Sequence, residues 1–139
     1  MKNVLKGRIT GMILTILSLV LTIGVKTFFS ACGPKEDGSF MTCHWAEQAV
    51  LAMGIALTAM SVILLIMGSS KAGFGAALSI LAAAGMTVLI PGVMIDLCMM
   101  PQMHCHVAMR PAVIVLCALI IVTAAVHIFM QLRKKGAEK

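Results

Sequence analysis

Four long apolar segments divide the 139-residue sequence and constrain its fold more than any other feature. They run over about residues 11–30, 46–67, 72–95 and 111–132, and each reaches the roughly 20 helical residues needed to cross about 30 Å of hydrocarbon. Hydrophobic residues make up 60% of the chain and charged residues only 12%, which leaves too little polar surface for a water-soluble domain. We therefore predict an all-α integral membrane protein, a four-transmembrane-helix bundle in which residues 1–139 form a single domain.

The basic residues are distributed unevenly between the two ends of this predicted bundle. Most of them flank the chain termini or lie in the turn between helices two and three: Lys2, Lys6, Arg8, Lys71, Arg133, Lys134, Lys135 and Lys139. The opposite end holds two loops, residues 31–45 and 96–110. Because cytoplasmic segments carry an excess of Lys and Arg, we predict a multi-pass protein of the plasma (inner) membrane with both termini cytoplasmic. The net charge of +6 follows from this bias and does not indicate nucleic-acid binding, since no aromatic platform accompanies it.

The first apolar segment also has features of a signal sequence. A basic start and an apolar run precede Phe29-Ser30-Ala31-Cys32, which approximates a lipoprotein cleavage site. Phe29 is a poor residue for the first position of such a site. We therefore expect the first helix to be retained as a membrane span.

A short repeat stands at the start of helices two and four. Its copies are Met41-Thr42-Cys43-His44-Trp45-Ala46 and Met103-His104-Cys105-His106-Val107-Ala108, at an offset of 62 residues. Met, Cys, His and Ala recur in both copies. The repeat predicts two related helical hairpins about a pseudo-two-fold axis along the membrane normal. The preceding cysteines, Cys32 and Cys98, do not share this offset.

Four cysteines lie in the two predicted outer loops: Cys32, Cys43, Cys98 and Cys105. In an oxidising compartment, two cysteines per loop most simply predict two disulfides. Pairing within each loop and pairing between the loops both stay open, because four cysteines allow three connectivities. The fifth, Cys117, lies inside helix four, where we expect a small buried apolar residue.

The same loops concentrate side chains that bind soft and borderline metal ions. The candidate donors are Met41, Cys43, His44, Met103, His104, Cys105 and His106. Thioether, thiolate and imidazole select Cu(I), and the latter two also bind zinc or haem iron. We predict His44 and His106 as ligands of one haem or metal ion shared between the hairpins. The alternative is structural, with the cysteines in disulfides and the histidines bonded to water or loop carbonyls.

Four ionisable residues lie near the outer ends of the predicted helices: Lys26, Glu47, Asp96 and Arg110. Charges at such depth usually pair or line a cavity, so we predict pairing of Glu47 with Arg110, or of Lys26 with Asp96. Snorkelling to the headgroups is the alternative for Lys26. Trp45 is typical of the membrane interface.

Helix three is rich in glycine and alanine, which allow helices to approach closely in lipid. This composition predicts that helix three is the central helix, or alternatively that it contacts a partner subunit. Pro91 and Gly92 predict a kink near its outer end, and Pro111 suits the first turn of helix four. We expect His127, deep in helix four, to be a packed polar residue rather than a ligand.

The sequence contains no catalytic set for hydrolysis or phosphoryl transfer. It has no phosphate-binding glycine loop, and no serine or carboxylate pair stands beside a base. This leaves redox chemistry, ligand binding or a structural partnership.

The pattern Cys32…Met41-Thr42-Cys43-His44-Trp45-Ala46, followed by a second Cys/His loop, resembles a family of small bacterial four-span membrane proteins. That family is a domain of unknown function whose genes tend to lie near those of MacB-type ABC transporter permeases. The resemblance covers nearly the whole chain and implies a transporter-associated role. It supplies no assigned active residues.

We predict a non-enzymatic membrane accessory protein that binds a metal ion or haem at its outer mouth and exchanges it with an ABC transporter. Two alternatives stay open. The first is a quinone-linked thiol–disulfide oxidoreductase of DsbB-like architecture, although the chain lacks the Cys-x-x-Cys pair of those enzymes. The second is a disulfide-stapled structural subunit that holds a partner or a second copy of the chain.

Overall fold

The computed structural model describes residues 2–28, 36–39, 42–68, 71–96, 102 and 105–137. They form four α-helices, α1 (Lys2–Thr27), α2 (Thr42–Met67), α3 (Lys71–Leu89) and α4 (Arg110–Ala137), with a π-helical turn, Cys105–Met109, leading directly into α4. No β-strand occurs in these parts of the chain. Each of the four helices is long and apolar enough to cross a membrane, which confirms the predicted transmembrane helical fold.

The helices form a ring in which each one packs on two neighbours. α1 lies against α2 and α4, and α3 lies against the same two helices. α2 and α4 therefore face each other across the bundle axis. At one end, α1 and α3 finish while α2 and α4 begin, and we call this the loop end. At the other, the terminal end, Gly7 of α1 lies beside His127 of α4.

α3 is not the central helix that its small residues predict. It packs on two neighbouring helices, as α1 does. Ala72, Gly75 and Ala82 are exposed on its outer side. Among the described residues, no atom beyond the helix itself lies within 4 Å of the place that a Cβ would take at Gly75 or Gly85. The prediction was wrong because a small side chain permits close helix approach without requiring it.

Apolar side chains at helical spacing fill the centre of the ring. Fully buried examples from the four helices are Leu14, Leu21, Leu57, Ile80 and Ile120. The buried positions recur every three or four residues along each helix, as expected for a helix that presents one face to its neighbours. In lipid, these contacts stabilise the bundle through close packing and not through removal of apolar surface from water. The fit between helices therefore determines stability.

α1 and α2 approach closely because glycine and hydroxyl-bearing residues meet between them. A Cβ at Gly54 would lie 2.7 Å from Oγ1 and 3.4 Å from Cα of Thr22. Beside this contact, the Ser18 and Ser61 hydroxyl oxygens are 3.2 Å apart, and those of Thr22 and Thr58 are 3.5 Å apart. All four hydroxyls also lie 2.7–2.8 Å from the carbonyl four residues earlier. Because each hydroxyl has one proton, one member of each pair can donate across to the other helix while the facing hydroxyl accepts and donates to its own carbonyl. Each hydroxyl is therefore satisfied even in lipid.

α3 ends at Leu89, before the predicted limit of the third span at Ile95. Pro91 has no backbone N–H to continue the helix, and Gly92 takes a φ of 100°, which favours glycine. The chain then folds back, so that the N–H of Met94 donates to the carbonyl of Leu89 at 3.0 Å. The predicted kink is therefore a helix end whose terminal carbonyl is satisfied by a compact turn.

Candidate functional site at the loop end

An ion pair joins α1 to α2 at the loop end. Nζ of Lys26 lies 3.4 Å from Oε1 of Glu47. The predicted pairs, Glu47 with Arg110 or Lys26 with Asp96, were wrong, since the observed pair combines one member of each. Opposite charge allows several pairings, and the faces of α1 and α2 that meet determine which one forms.

The two ions of this pair are unequally exposed. The Lys26 side chain is 50% exposed, whereas that of Glu47 is 7% exposed. A carboxylate withdrawn from water is costly unless a cation or hydrogen-bond donors satisfy it. The lysine ammonium, on a flexible stem, retains access to water. Glu47 is therefore the fixed member of the pair and Lys26 the movable one.

His44 lies one helical turn before Glu47 on α2, nearer the start of the helix. Its ring is partly buried and meets the Trp45 ring edge-on, with 6.1 Å between centroids and 75° between planes. Trp45 is 63% exposed, which is consistent with a position at the membrane interface. Because residues three apart share a helix face, His44 and Glu47 lie on one side of α2.

The two charged candidates of the second hairpin have other surroundings. The Arg110 guanidinium lies against Gly92, where a Cβ would stand 3.4 Å from Cζ of the arginine. Asp96 is exposed just after the turn that follows α3. Among the described residues, the four predicted mouth residues thus give one ion pair, on the first hairpin, and Asp96 and Arg110 form no ion pair with each other.

The described residues of the two repeat copies lie at the start of α2 and in the π turn before α4, and α2 and α4 face each other across the bundle. Cys43 lies in the first turn of α2, and Cys105 and His106 lie in the π turn that precedes α4. The side chains of these three residues are outside the described part of the chain. The other predicted donors and disulfide partners also lie outside it: Cys32, Met41, Cys98, Met103 and His104. The disulfide and metal-ligand hypotheses that depend on them remain predictions.

Exposed and buried positions of the second and fourth helices match each other, but the offset between matching residues changes from 62 to 63 along the helices. Trp45 and Val107, at the offset of 62, are 63% and 65% exposed. Further along, the buried positions of α2 and α4 match at an offset of 63: Val50 with Val113, Gly54 with Cys117, Leu57 with Ile120, Ser61 with Ala124 and Leu64 with His127. A π turn holds one residue more than an α turn, so Cys105–Met109 accommodates the additional residue.

Cys117 and His127 are both buried in α4, as predicted. Nε2 of His127 lies 2.9 Å from Nε2 of Gln131. An amide nitrogen only donates, so the ring Nε2 accepts and the ring proton is on Nδ1. Nδ1 is buried and has no hydrogen-bond partner within the described ranges. Sequence reasoning missed Gln131, although its spacing of four residues from His127 on one helix was a usable signal.

No group of three His, Cys, Asp or Glu side chains that could hold a metal ion occurs within the described ranges. At the loop end, the buried Glu47 carboxylate pairs with the Lys26 ammonium of α1, and His44 lies one turn away on the same face of α2. A carboxylate and an imidazole are two possible ligands for a cation, and a third protein ligand would have to come from the repeat elements or the loops before them.

Comparison with known proteins gives a family but no assigned chemistry. A family model described as a domain of unknown function (DUF4418) matches residues 14–130. The matched range contains both copies of the Met-x-Cys-His repeat and all of α2 and α3. No curated protein and no solved structure matches the chain.

Proposed function

Since the chain belongs to the DUF4418 family, a domain of unknown function, we propose that it is a bacterial membrane protein that binds a transition metal ion or haem at its loop end. We place that end on the outer side of the plasma membrane. The excess of Lys and Arg at the terminal end supports this orientation, with both chain termini in the cytoplasm.

The observation that carries the proposal is the placement of the two Cys-His pairs. Cys43 and His44 lie in the first turn of α2, and Cys105 and His106 lie in the π turn that leads into α4, and these two helices face each other across the bundle axis. Neighbouring helix axes in bundles lie roughly 8–10 Å apart, so opposite axes are roughly 11–14 Å apart. Two inward side chains with one metal ion or haem iron between them span that distance. His44 and His106 are the proposed ligands, supplemented by Cys43 and Cys105.

The resemblance to proteins encoded near MacB-type permeases supports an ABC transporter as the partner. The exposed apolar sides of all four helices suit lipid or another membrane protein. A second copy of the chain is the alternative partner, because Ala72, Gly75 and Ala82 on the outer side of α3 permit close helix approach.

The proposal is tested on the full chain purified in detergent. Metal content is measured by mass spectrometry, and titrations with Cu(I), Zn²⁺ and haem are followed by absorption. We expect at least one of the three to bind in a ratio of one per chain. A colourless, metal-free protein that takes up none of them would contradict the proposal.

Paired substitutions then locate the bound group. His44→Ala and His106→Ala are each expected to weaken binding at least tenfold, since each removes one ligand from a shared centre. His127→Gln is the matched control, because His127 lies at the terminal end and pairs with Gln131 on its own helix. Equal loss in all three variants would indicate damage to the bundle rather than removal of ligands.

The same preparation distinguishes the oxidoreductase alternative. In that mechanism one cysteine pair passes electrons to a quinone and the other exchanges with a partner protein. Structural disulfides have potentials below about −300 mV, whereas exchanging ones are more oxidising. A metal-free protein whose disulfides have higher potentials and reduce a quinone analogue would favour the thiol oxidase.

A further inference from the structure

We propose that the Lys26–Glu47 pair is a cation-exchange site, in which Glu47 is a ligand for a divalent metal ion and Lys26 occupies the ion's place until it binds. This inference rests on the proposed function of the loop end and specifies its ligand class. Carboxylate and imidazole together suit a borderline divalent ion such as Zn²⁺ or Fe²⁺, whereas Cu(I) prefers thiolate and thioether.

The unequal burial of the pair supports exchange rather than a permanent link. The carboxylate, 7% exposed, needs a cation wherever the bundle is folded. The ammonium, 50% exposed, reaches solvent and the headgroup region without any movement of α1. A metal ion arriving from the loop end therefore meets a fixed anion whose present counter-ion can leave.

The position of His44 supplies a second ligand on the same helix. His44 and Glu47 are three residues apart on α2, a spacing that brings two side chains to one face. Metal-binding bundles use this spacing to present an imidazole and a carboxylate together. Of the two, His44 lies nearer the helix start, and Glu47 lies one turn deeper.

The second hairpin shows that the fold does not require this ion pair. At the offset of 63 that matches the buried positions of α2 and α4, Glu47 corresponds to Arg110, which is exposed and lies against Gly92. Within the described residues, no ion pair joins α3 to α4. A buried ion pair is often no more stabilising than apolar residues. The charge in the first hairpin is therefore better explained by binding than by folding.

Exchange raises the net charge of the site by one unit, from zero for the Lys26–Glu47 pair to a single positive charge for a divalent ion bound by the Glu47 carboxylate and a neutral His44 imidazole. In the metal-free protein the Lys26 ammonium neutralises the Glu47 carboxylate. On binding, the divalent ion takes over that role, and the ammonium moves to water or to a lipid phosphate. No bond to the chain other than metal–ligand bonds forms or breaks.

Zn²⁺ binding to the full chain in detergent tests the exchange, with Co²⁺ as the spectroscopic probe. Lys26→Gln is expected to raise Zn²⁺ affinity about tenfold, because it removes a competing cation. Glu47→Gln and His44→Ala are each expected to lower it at least tenfold. Glu36→Gln is the matched control, since Glu36 is exposed near the same end, and it should leave the affinity unchanged.

Thermal unfolding gives an independent readout and guards against a folding defect. Lys26→Gln leaves a buried carboxylate without its lysine, so its Tm should fall in the absence of metal. Zn²⁺ should then raise the Tm of this variant more than that of the unmodified chain. The double variant Lys26→Gln/Glu47→Gln should recover the Tm and lose the response to Zn²⁺.

The outcomes separate this inference from the proposed function. Unchanged or weaker Zn²⁺ binding by Lys26→Gln would overturn the exchange. Binding of Cu(I) or haem that survives Glu47→Gln, without Zn²⁺ binding, would overturn the exchange and leave the proposed function intact. Failure of the unmodified chain to bind any of the three would overturn both.

Discussion

The two hairpins share one helical plan but differ in what lies between their helices. In the first, hydroxyl pairs and an ion pair connect α1 to α2. In the second, the buried and apolar Ala124 takes the place of Ser61, and no ion pair joins α3 to α4 within the described residues. The bundle therefore accepts either polar or apolar contents at equivalent positions. The difference indicates that polarity in the first hairpin is not a condition of the fold.

The hairpins also differ in how their second helix begins. α2 begins directly as an α-helix at Thr42, whereas α4 follows a π turn, Cys105–Met109. The wide turn leaves the Cys-His element at the helix start while the buried face of α4 keeps its match with α2. The second hairpin is thus distinguished by the backbone at the start of its second helix, and the first hairpin by the polar side chains between its helices.

Single-residue deletions in the second hairpin should have the largest effects. Deleting Val115 rotates one part of α4 by about 100° against the other and turns buried residues to lipid, so we expect loss of the folded bundle. Deleting Val107 removes one residue from the π turn and leaves an α turn, so the bundle should remain folded. Both residues are exposed, at 57% and 65%, which makes them a matched pair. Circular dichroism and thermal unfolding in detergent measure the difference, and equal damage would contradict this interpretation of the π turn.

A bulky residue at Gly54 should act on the first hairpin alone. Gly54→Leu places a side chain where a Cβ would already lie 2.7 Å from Oγ1 of Thr22, and overpacking of this kind costs about 1–3 kcal/mol. Gly85→Leu on α3 is the control, because its Cβ meets no described atom within 4 Å. The free energy of unfolding, measured by titration with a denaturing detergent, should fall only for Gly54→Leu.

The turn after α3 should respond to an added methyl group. Gly92→Ala is expected to cost about 1–2 kcal/mol, because alanine is strained at a φ of 100°. Gly136→Ala, in the exposed last turn of α4, should be neutral or slightly stabilising. The same titration distinguishes them, and a neutral Gly92→Ala would show that the turn relaxes at no cost.

Removal of one hydroxyl should produce the smallest effect. Ser61→Ala is expected to cost about 0.6 kcal/mol, typical of an interhelical hydrogen bond in a membrane protein. A double-mutant cycle with Ser18→Ala should give a coupling of similar size, whereas a cycle with Ser79→Ala should give none. Ser79 is exposed on α3 and donates to the carbonyl of Gly75. Zero coupling between Ser18 and Ser61 would mean that the backbone carbonyls alone satisfy both hydroxyls.

The four spans could be predicted because hydropathy summed over some 20 residues is a strong signal. The ends of the helices could be predicted less well. Pro91 and Gly92 indicated an interruption of α3, but the same residue types occur at a kink and at a helix end. The hydrogen bond from the N–H of Met94 to the carbonyl of Leu89 identifies a helix end, and local residue preferences do not predict this contact.

The candidate site was predictable in its residue types and not in its contacts. Lys26 and Glu47 were identified as ions near the loop end, but the partners depend on which faces of α1 and α2 meet. The π turn has no distinct residue preference, and only the backbone of Cys105–Met109 shows it. The prediction that α3 is the central helix was wrong because small residues permit close helix approach but do not determine which helices approach each other.

The polar line along α1 has a consequence for the axial register of the first hairpin. Ser18, Thr22 and Lys26 follow one another at intervals of four residues and meet partners on α2 in the reverse order. Two apolar helices in lipid can slide past each other by a turn with little change in energy, since leucine against leucine looks the same as leucine against a lipid tail. The three polar contacts can all form at only one axial position of α1 relative to α2. The line therefore fixes the axial position of Glu47 relative to α1.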